Sequence, residues 1–277
     1  MINYADKKFR QAQAWNTGSA KIFGCFDKIF QFSPDQISSD FLNSHADIFA
    51  YERGNGLWLW KPYFFNKVIE TCKDGDYVFY CDSGTFFIGK PDFIFKRVNQ
   101  DSPMYCCDTP LIESCFTKPY CFEEMNCKDV KYTDTNQIMA TYFCVYVCNI
   151  TRKFAKEWLE LCCNLDLMKP EGCALGLTEN KGKSFVSHRE DQSIFSLLCK
   201  KYGFSPSEDI SWHGTYYSPY YAYKEPDHPE KPKKVLFLHK SPTLGFSFFF
   251  KIFVTKIYKT VKRKRSAVYN RFFEKGK

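Results

Sequence analysis

Lys73-Asp74-Gly75-Asp76-Tyr77-Val78-Phe79-Tyr80-Cys81-Asp82-Ser83-Gly84-Thr85-Phe86-Phe87-Ile88 passes from a glycine turn into an apolar run and stops at an acid, a small residue and a glycine. An apolar run of this length between turn residues predicts a strand buried on both faces. A carboxylate at the carboxyl end of such a strand lies where open α/β sheets bind ligands. Asp, Ser and Gly are also common turn formers. Read alone, Asp82-Ser83-Gly84 is more simply a turn that closes the strand.

Upstream lies Arg53-Gly54-Asn55-Gly56-Leu57-Trp58-Leu59-Trp60-Lys61-Pro62-Tyr63. Two glycines in three residues let another backbone or a ligand approach closely. Pro62 suits the first turn of a helix that continues to Cys72. Lys61, beside that helix start, is a candidate phosphate contact as well as a candidate solvated charge. Trp58 and Trp60 read as packing residues. Nearer the start, Ile2–Ala5 reads as a short strand. A helical pattern over Phe9, Ala12, Trp15, Ala20 and Phe23 ends at Gly24, and Phe26–Phe32 reads as a second strand. Strand, helix, strand in that order predicts a parallel sheet in an α/β fold. Residues 40–52 read as a mixed helix.

Downstream, Thr85–Ile88 reads as a short strand, Pro91–Val98 as a short helix and Tyr105–Asp108 as a strand. Residues 109–136 are polar and contain Pro110 and Pro119. They read as an excursion over the sheet's active edge. Gln137–Asn149 holds the second strongly apolar strand. Thr151 is expected to N-cap an amphipathic helix with Phe154, Ala155, Trp158 and Cys162 inward. After a loop from Met168 to Ser184, Ser187–Gly203 reads as a helix with His188, Glu190, Asp191 and Gln192 in its first turn. Residues 205–232 are loop-rich and crowded with tyrosines, suited to a wall for sugar stacking or to a loop wrapped over the core. Val235–His239 reads as a last strand.

Of the 277 residues, 39 are Lys or Arg and 31 are Asp or Glu, for a net charge of +8. From Phe246 onward there are ten bases and one acid, which leaves 29 bases against 30 acids in the body. A near-neutral body argues against nucleic-acid binding, which would need its own basic face. The fourteen cysteines contain no Cys-x-x-Cys pair, so zinc spacing is missing. The chain starts with a polar stretch and no signal peptide. Free, buried cysteines and a reducing, cytoplasmic setting are therefore expected.

The tail is a separate feature. On a helix, Lys251, Thr255, Lys259 and Lys262 form a polar stripe opposite Phe249, Phe250, Phe253, Ile257 and Val261. Its apolar run is too short and too charged to span a bilayer. A basic, aromatic, amphipathic helix suits an anionic membrane surface, here through residues 246–265. The other reading is a C-terminal helix docked on the domain.

The pairing of Gly54–Pro62 with Asp74–Gly84, joined by a late helix that opens Asp191-Gln192-Ser193-Ile194-Phe195, resembles the GT-A class of nucleotide-sugar glycosyltransferases. It is most similar to small bacterial polysaccharide-type enzymes, over residues 2–205. The resemblance implies one Rossmann-like mixed α/β sheet flanked by helices in residues 1–240, followed by the amphipathic tail 241–277. It implies a nucleotide-sugar donor held by Asp82, Ser83, Gly84, Lys61 and Arg53. It implies a divalent cation, Mn or Mg, on Asp82 with His239 or His213. The departing diphosphate gains charge, which a cation stabilises. Gly84, however, stands where the class places its second, metal-binding acid, and the alternative to a metal is positive charge supplied by Lys61 and Arg53. Asp191, with Glu190, is the implied catalytic group on the acceptor side, as general base or as orienting carboxylate. The implied activity is hexosyl transfer to a glycan or lipid-linked acceptor in surface polysaccharide synthesis, at the inner face of a membrane. A different class of function, a catalytically inactive sheet domain acting as membrane-docked scaffold, is consistent with Gly84. Nucleotidyl transfer would want a Gly-rich, basic signature after the first strand, and Asn3–Gly18 lacks one.

Overall fold

The computed structural model describes residues 1–24, 26–171, 185–212, 233–239 and 241–245. Its main sheet has five strands: β1 (Ile2–Tyr4), β2 (Phe30–Phe32), β3 (Tyr77–Cys81), β5 (Met104–Tyr105) and β8 (Tyr142–Tyr146), in the order β2-β1-β3-β8-β5. β1 runs parallel to β2 and β3, whereas β8 is antiparallel to β3 and β5. The sheet is therefore mixed, as expected. Two small sheets flank it. One joins β4 (Thr85–Phe87), β10 (Leu236–Leu238) and β9 (Ser211–Trp212); the other pairs β6 (Asp108–Ile112) with β7 (Asn136–Ile138). The longer helices are α1 (Arg10–Phe23), α2 (Trp60–Thr71), α3 (Asn149–Cys162) and α4 (Glu190–Lys201).

β3 is covered on both faces, which is why its sequence is apolar without alternation. Val78 and Tyr80 pack into one core with Phe65, Phe143, Trp158 and Phe195. Phe79 and Cys81 face the other, with Phe87, Tyr105 and Tyr142. The cysteines pack as small hydrophobes. All twelve described cysteines are free thiols, and only Cys72, Cys148 and Cys163 are partly open.

Several boundaries differ from the sequence reading. The expected strand 26–32 pairs only from Phe30, opposite Ile2. Residues 40–52 form two short helices, Ser39–Ser44 and Ala46–Phe49, broken at His45. The apolar run 137–149 is two strands in two sheets, because Met139–Thr141 carries the chain from β7, paired to β6, to β8, paired to β3. α3 begins at Asn149 rather than after Thr151; the Thr151 hydroxyl instead accepts from the Cys148 amide at 3.0 Å. The excursion 109–136 contains β6 and three short helices, Glu113–Phe116, Pro119–Glu124 and Val130–Thr133. His213, the tyrosine-rich segment from residue 213 and the tail 246–277 lie outside the described residues. No helix among the described residues is long and apolar enough to cross a membrane.

The glycine-rich segment before α2 is a left-handed turn. Gly54, Asn55, Gly56, Leu57 and Trp58 have φ of 62°, 53°, 88°, 51° and 64°. Left-handed backbone costs roughly 1–2 kcal/mol for each residue that carries a Cβ. Gly54 and Gly56 are required twice over, since an added Cβ would lie 2.4 Å from the Trp58 ring and 2.4 Å from the Phe49 ring respectively.

Candidate functional site

The site forms at the carboxyl end of β3. Asp82 to Thr85 is a hydrogen-bonded turn, with the Thr85 amide donating to Asp82 O at 3.1 Å. The turn is held from below by α1: buried Asn16 donates to Thr85 O and Thr85 Oγ1, both at 3.0 Å. Ser83 Oγ donates to Tyr4 O at 2.6 Å, tying the turn to the end of β1. Asp82-Ser83-Gly84 is thus both the turn and the candidate site. Ser83 is committed to this scaffold contact, whereas the Asp82 side chain remains 30% exposed.

Three of the residues singled out from sequence meet here. Lys61, in the first turn of α2, places its Nζ 3.4 Å from Asp82 Oδ1 and 2.8 Å from Asp191 Oδ2. It also donates to Ala140 O at 3.3 Å. Burial alone would lower the Lys61 pKa, but the Asp191 and Asp82 carboxylates outweigh it and raise it, so the ammonium stays charged. Burial pushes Asp191 up to about 6 against the pull of Lys61, and the negative charges of Asp82 and Glu190 add to the rise. Asp191 is therefore mostly ionised at neutral pH and able to take up a proton.

Arg53 and Glu190 form a second pair. Arg53 Nε lies 2.7 Å from Glu190 Oε1 and Nη2 lies 3.4 Å from Oε2, a side-on arrangement. Burial raises the Glu190 carboxyl, and Arg53 opposes the rise. The Arg53 side chain is 44% exposed and that of Glu190 only 3%. The Arg53 guanidinium also lies over the Trp58 ring, 5.4 Å from its centroid. His188, just upstream, is structural: Nδ1 accepts from the Lys118 amide, Nε2 donates to Leu167 O, and burial lowers its pKa to about 3.

Two contributors were not singled out from the sequence. The Tyr80 hydroxyl donates to Asp82 Oδ1 at 2.6 Å. The available signal is its spacing, since residues two apart on a strand share a face. The Trp158 indole donates to Asp191 O at 3.4 Å, a contact between α3 and α4 that no local pattern encodes.

The described residues do not make a divalent-cation site. Asp82 Oδ1 already receives the Tyr80 hydroxyl and faces the Lys61 ammonium. Gly84 brings no carboxylate. The structure does bring His239 to the turn, its amide donating to Gly84 O at 2.9 Å. Its ring Nδ1, however, accepts from the Ser241 amide at 3.1 Å. That bond puts the ring proton on Nε2, the nitrogen a metal would need bare. No cluster of three His, Cys, Asp or Glu groups suited to a metal occurs among the described residues.

The fold is that of GT-A-type glycosyltransferases. The chain superposes on mouse xyloside xylosyltransferase 1, in its apo form, with a TM-score of 0.50 at 7% identity, over 88% of this chain and 98% of that one. The galactosyltransferase LgtC, in complex with donor and acceptor sugar analogues, gives 0.47 at 13% identity over 87% of each chain. The apo glycosyltransferase GlyE of Streptococcus pneumoniae TIGR4 gives 0.42 at 12%, over 87% of this chain and 54% of that one. No family model and no curated protein matches the sequence.

Proposed function

We propose that this chain transfers a sugar, of hexosyl type, from a nucleotide-sugar to a glycan or lipid-linked acceptor in surface polysaccharide synthesis. The observation that carries the reading is that Asp82 and Asp191, far apart in sequence, face one ammonium at the carboxyl end of β3. That is where α/β sheets bind ligands.

Asp82, open on one side, accepts a hydroxyl of the donor's ribose. Among the described residues of the site, Arg53 is the cation that solvent reaches, and so the one that a diphosphate reaches; Lys61, at 4% exposed, is enclosed. In transfer, the bond between the anomeric carbon and the diphosphate oxygen breaks and its electron pair leaves with the diphosphate. The acceptor hydroxyl forms the new bond. Its proton goes to Asp191 if the reaction inverts configuration, or to the leaving phosphate if it retains it, with Asp191 then orienting the acceptor. No step is routed through a metal. The basic aromatic segment 246–265 supports placing this chemistry at the cytoplasmic face of an anionic membrane.

Calorimetry with UDP- and GDP-sugars, followed by a transfer assay on the donor that binds, tests the reading. Saturable binding that Asp82→Ala removes without unfolding the protein supports it. Binding of no nucleotide-sugar overturns it and favours the inactive scaffold, which the glycine at position 84 suits.

A further inference from the structure

Lys61 carries a charge that no ligand reaches. Its ammonium is surrounded by three acceptors, namely Asp191 Oδ2, Asp82 Oδ1 and Ala140 O, at 2.8, 3.4 and 3.3 Å. Ala140 O takes a hydrogen bond from the ammonium, and the two carboxylates face it as ion pairs. The rings of Tyr80 and Trp60, with centroids 5.4 and 5.9 Å away, complete the enclosure and add attraction to a cation. A phosphate could bind Lys61 only by displacing one of these partners. The expectation that Lys61 contacts the donor phosphate therefore gives way to another role.

We propose that Lys61 is a positioning residue whose single ammonium couples the two carboxylates of the site, so that the charge on Asp191 depends on what Asp82 holds.

Two carboxylates divide the field of one cation, and the negative charge of Asp82 raises the proton affinity of Asp191. A hydrogen-bond donor arriving on the open side of Asp82 disperses its negative charge and leaves Asp191 more of the ammonium's field. Other groups facing Asp191 are Tyr80 from β3, Cys162 from α3 and Glu190 on its own helix. Burial holds the tyrosine and the thiol neutral well beyond the range in which Asp191 titrates. Glu190 is paired with Arg53. Lys61 and Asp82 are thus the groups through which the charge of Asp191 is set. The coupling itself is a property of the ligand-free protein; its use, linking donor side to acceptor side, rests on the glycosyltransferase reading.

The test is carbon-13 NMR of the full chain labelled at aspartate carboxyls, without nucleotide, with the Asp191 signal assigned by Asp191→Asn. Lys61→Met is expected to move the Asp191 titration up by about one pH unit or more, and Asp82→Asn to move it down by about half a unit. An Asp191 titration that stays in place in a folded Lys61→Met protein overturns the proposal, as does one that stays in place in Asp82→Asn. Should Lys61→Met fail to fold, Asp82→Asn alone decides, because its carboxylate stands at the open end of the site. A protein that shows both shifts but binds no nucleotide-sugar keeps the coupling and loses the glycosyltransferase reading, so the two failures are distinguishable.

Discussion

Arg53 and Glu190 meet side-on across 2.7 Å, beside two stretches of left-handed backbone. Arg53 opens the left-handed turn 54–58, and Glu190, the first residue of α4, itself has φ of 41°. Strain of this kind persists where the surrounding structure over-determines it, and it clusters at functional sites. Arg53→Ala leaves the Glu190 carboxylate buried without its partner. Because Arg53 is partly exposed, the expected loss is about 1–3 kcal/mol, below that for a fully buried pair. Urea unfolding at neutral pH measures it, and a loss near zero would mean that solvent already screens the pair.

The glycine turn predicts a graded series. Gly54→Ala and Gly56→Ala each combine positive φ with a Cβ 2.4 Å from an aromatic ring. Each is expected to cost about 2–4 kcal/mol. Gly203→Ala, at φ 73° with no atom within 4 Å, carries only the backbone penalty of about 1 kcal/mol. Thermal unfolding of the three variants ranks them, and equal losses would show that the rings move aside.

Asp191 predicts a pH dependence of stability. Its carboxyl is raised from 3.8 to about 6 on folding. Between those values the folded state binds a proton that the unfolded state has released. Stability contributed by this group is therefore present below pH 3.8 and lost as pH rises through about 6. The change is about 3 kcal/mol at 1.36 kcal/mol per unit. Asp191→Asn should remove this slope from denaturation curves collected across the window. An unchanged slope would assign the proton elsewhere.

Glu113 anchors α4 from the far side. Its fully buried carboxylate lies 2.6 Å from Lys200 Nζ and accepts from Ser196, Thr117 and Gln137. Glu113→Ala strands a nearly buried ammonium, at an expected cost of about 3–5 kcal/mol in equilibrium unfolding. A cost below about 1 kcal/mol would show that Lys200 reaches water.

Gly84 makes a gain-of-function prediction. Gly84→Asp adds a second carboxylate two residues after Asp82, on the open turn. Mn²⁺ affinity, read by the loss of its free electron-spin-resonance signal, should rise at least about tenfold over the unmodified protein, on the usual preference of such ions for paired carboxylate oxygens. No gain would place position 84 out of reach of the Asp82 side chain.

Local chemistry alone determined much of this fold. The apolar run 77–81, the helix after Pro62 and the amphipathic pattern 154–162 are properties of consecutive residues, and they form a strand and two helices as expected. Asp82 at a strand end was legible for the same reason. Tertiary structure alone decided that one apolar run, 137–149, is shared between two sheets, since each half takes a different partner strand. It also decided the fate of Lys61. A lysine at a helix start reads as exposed and available, because sequence records its neighbours along the chain and not across it. Packing α2 against β3 and α3 encloses the ammonium between two carboxylates, and their combined field outweighs the cost of burying it.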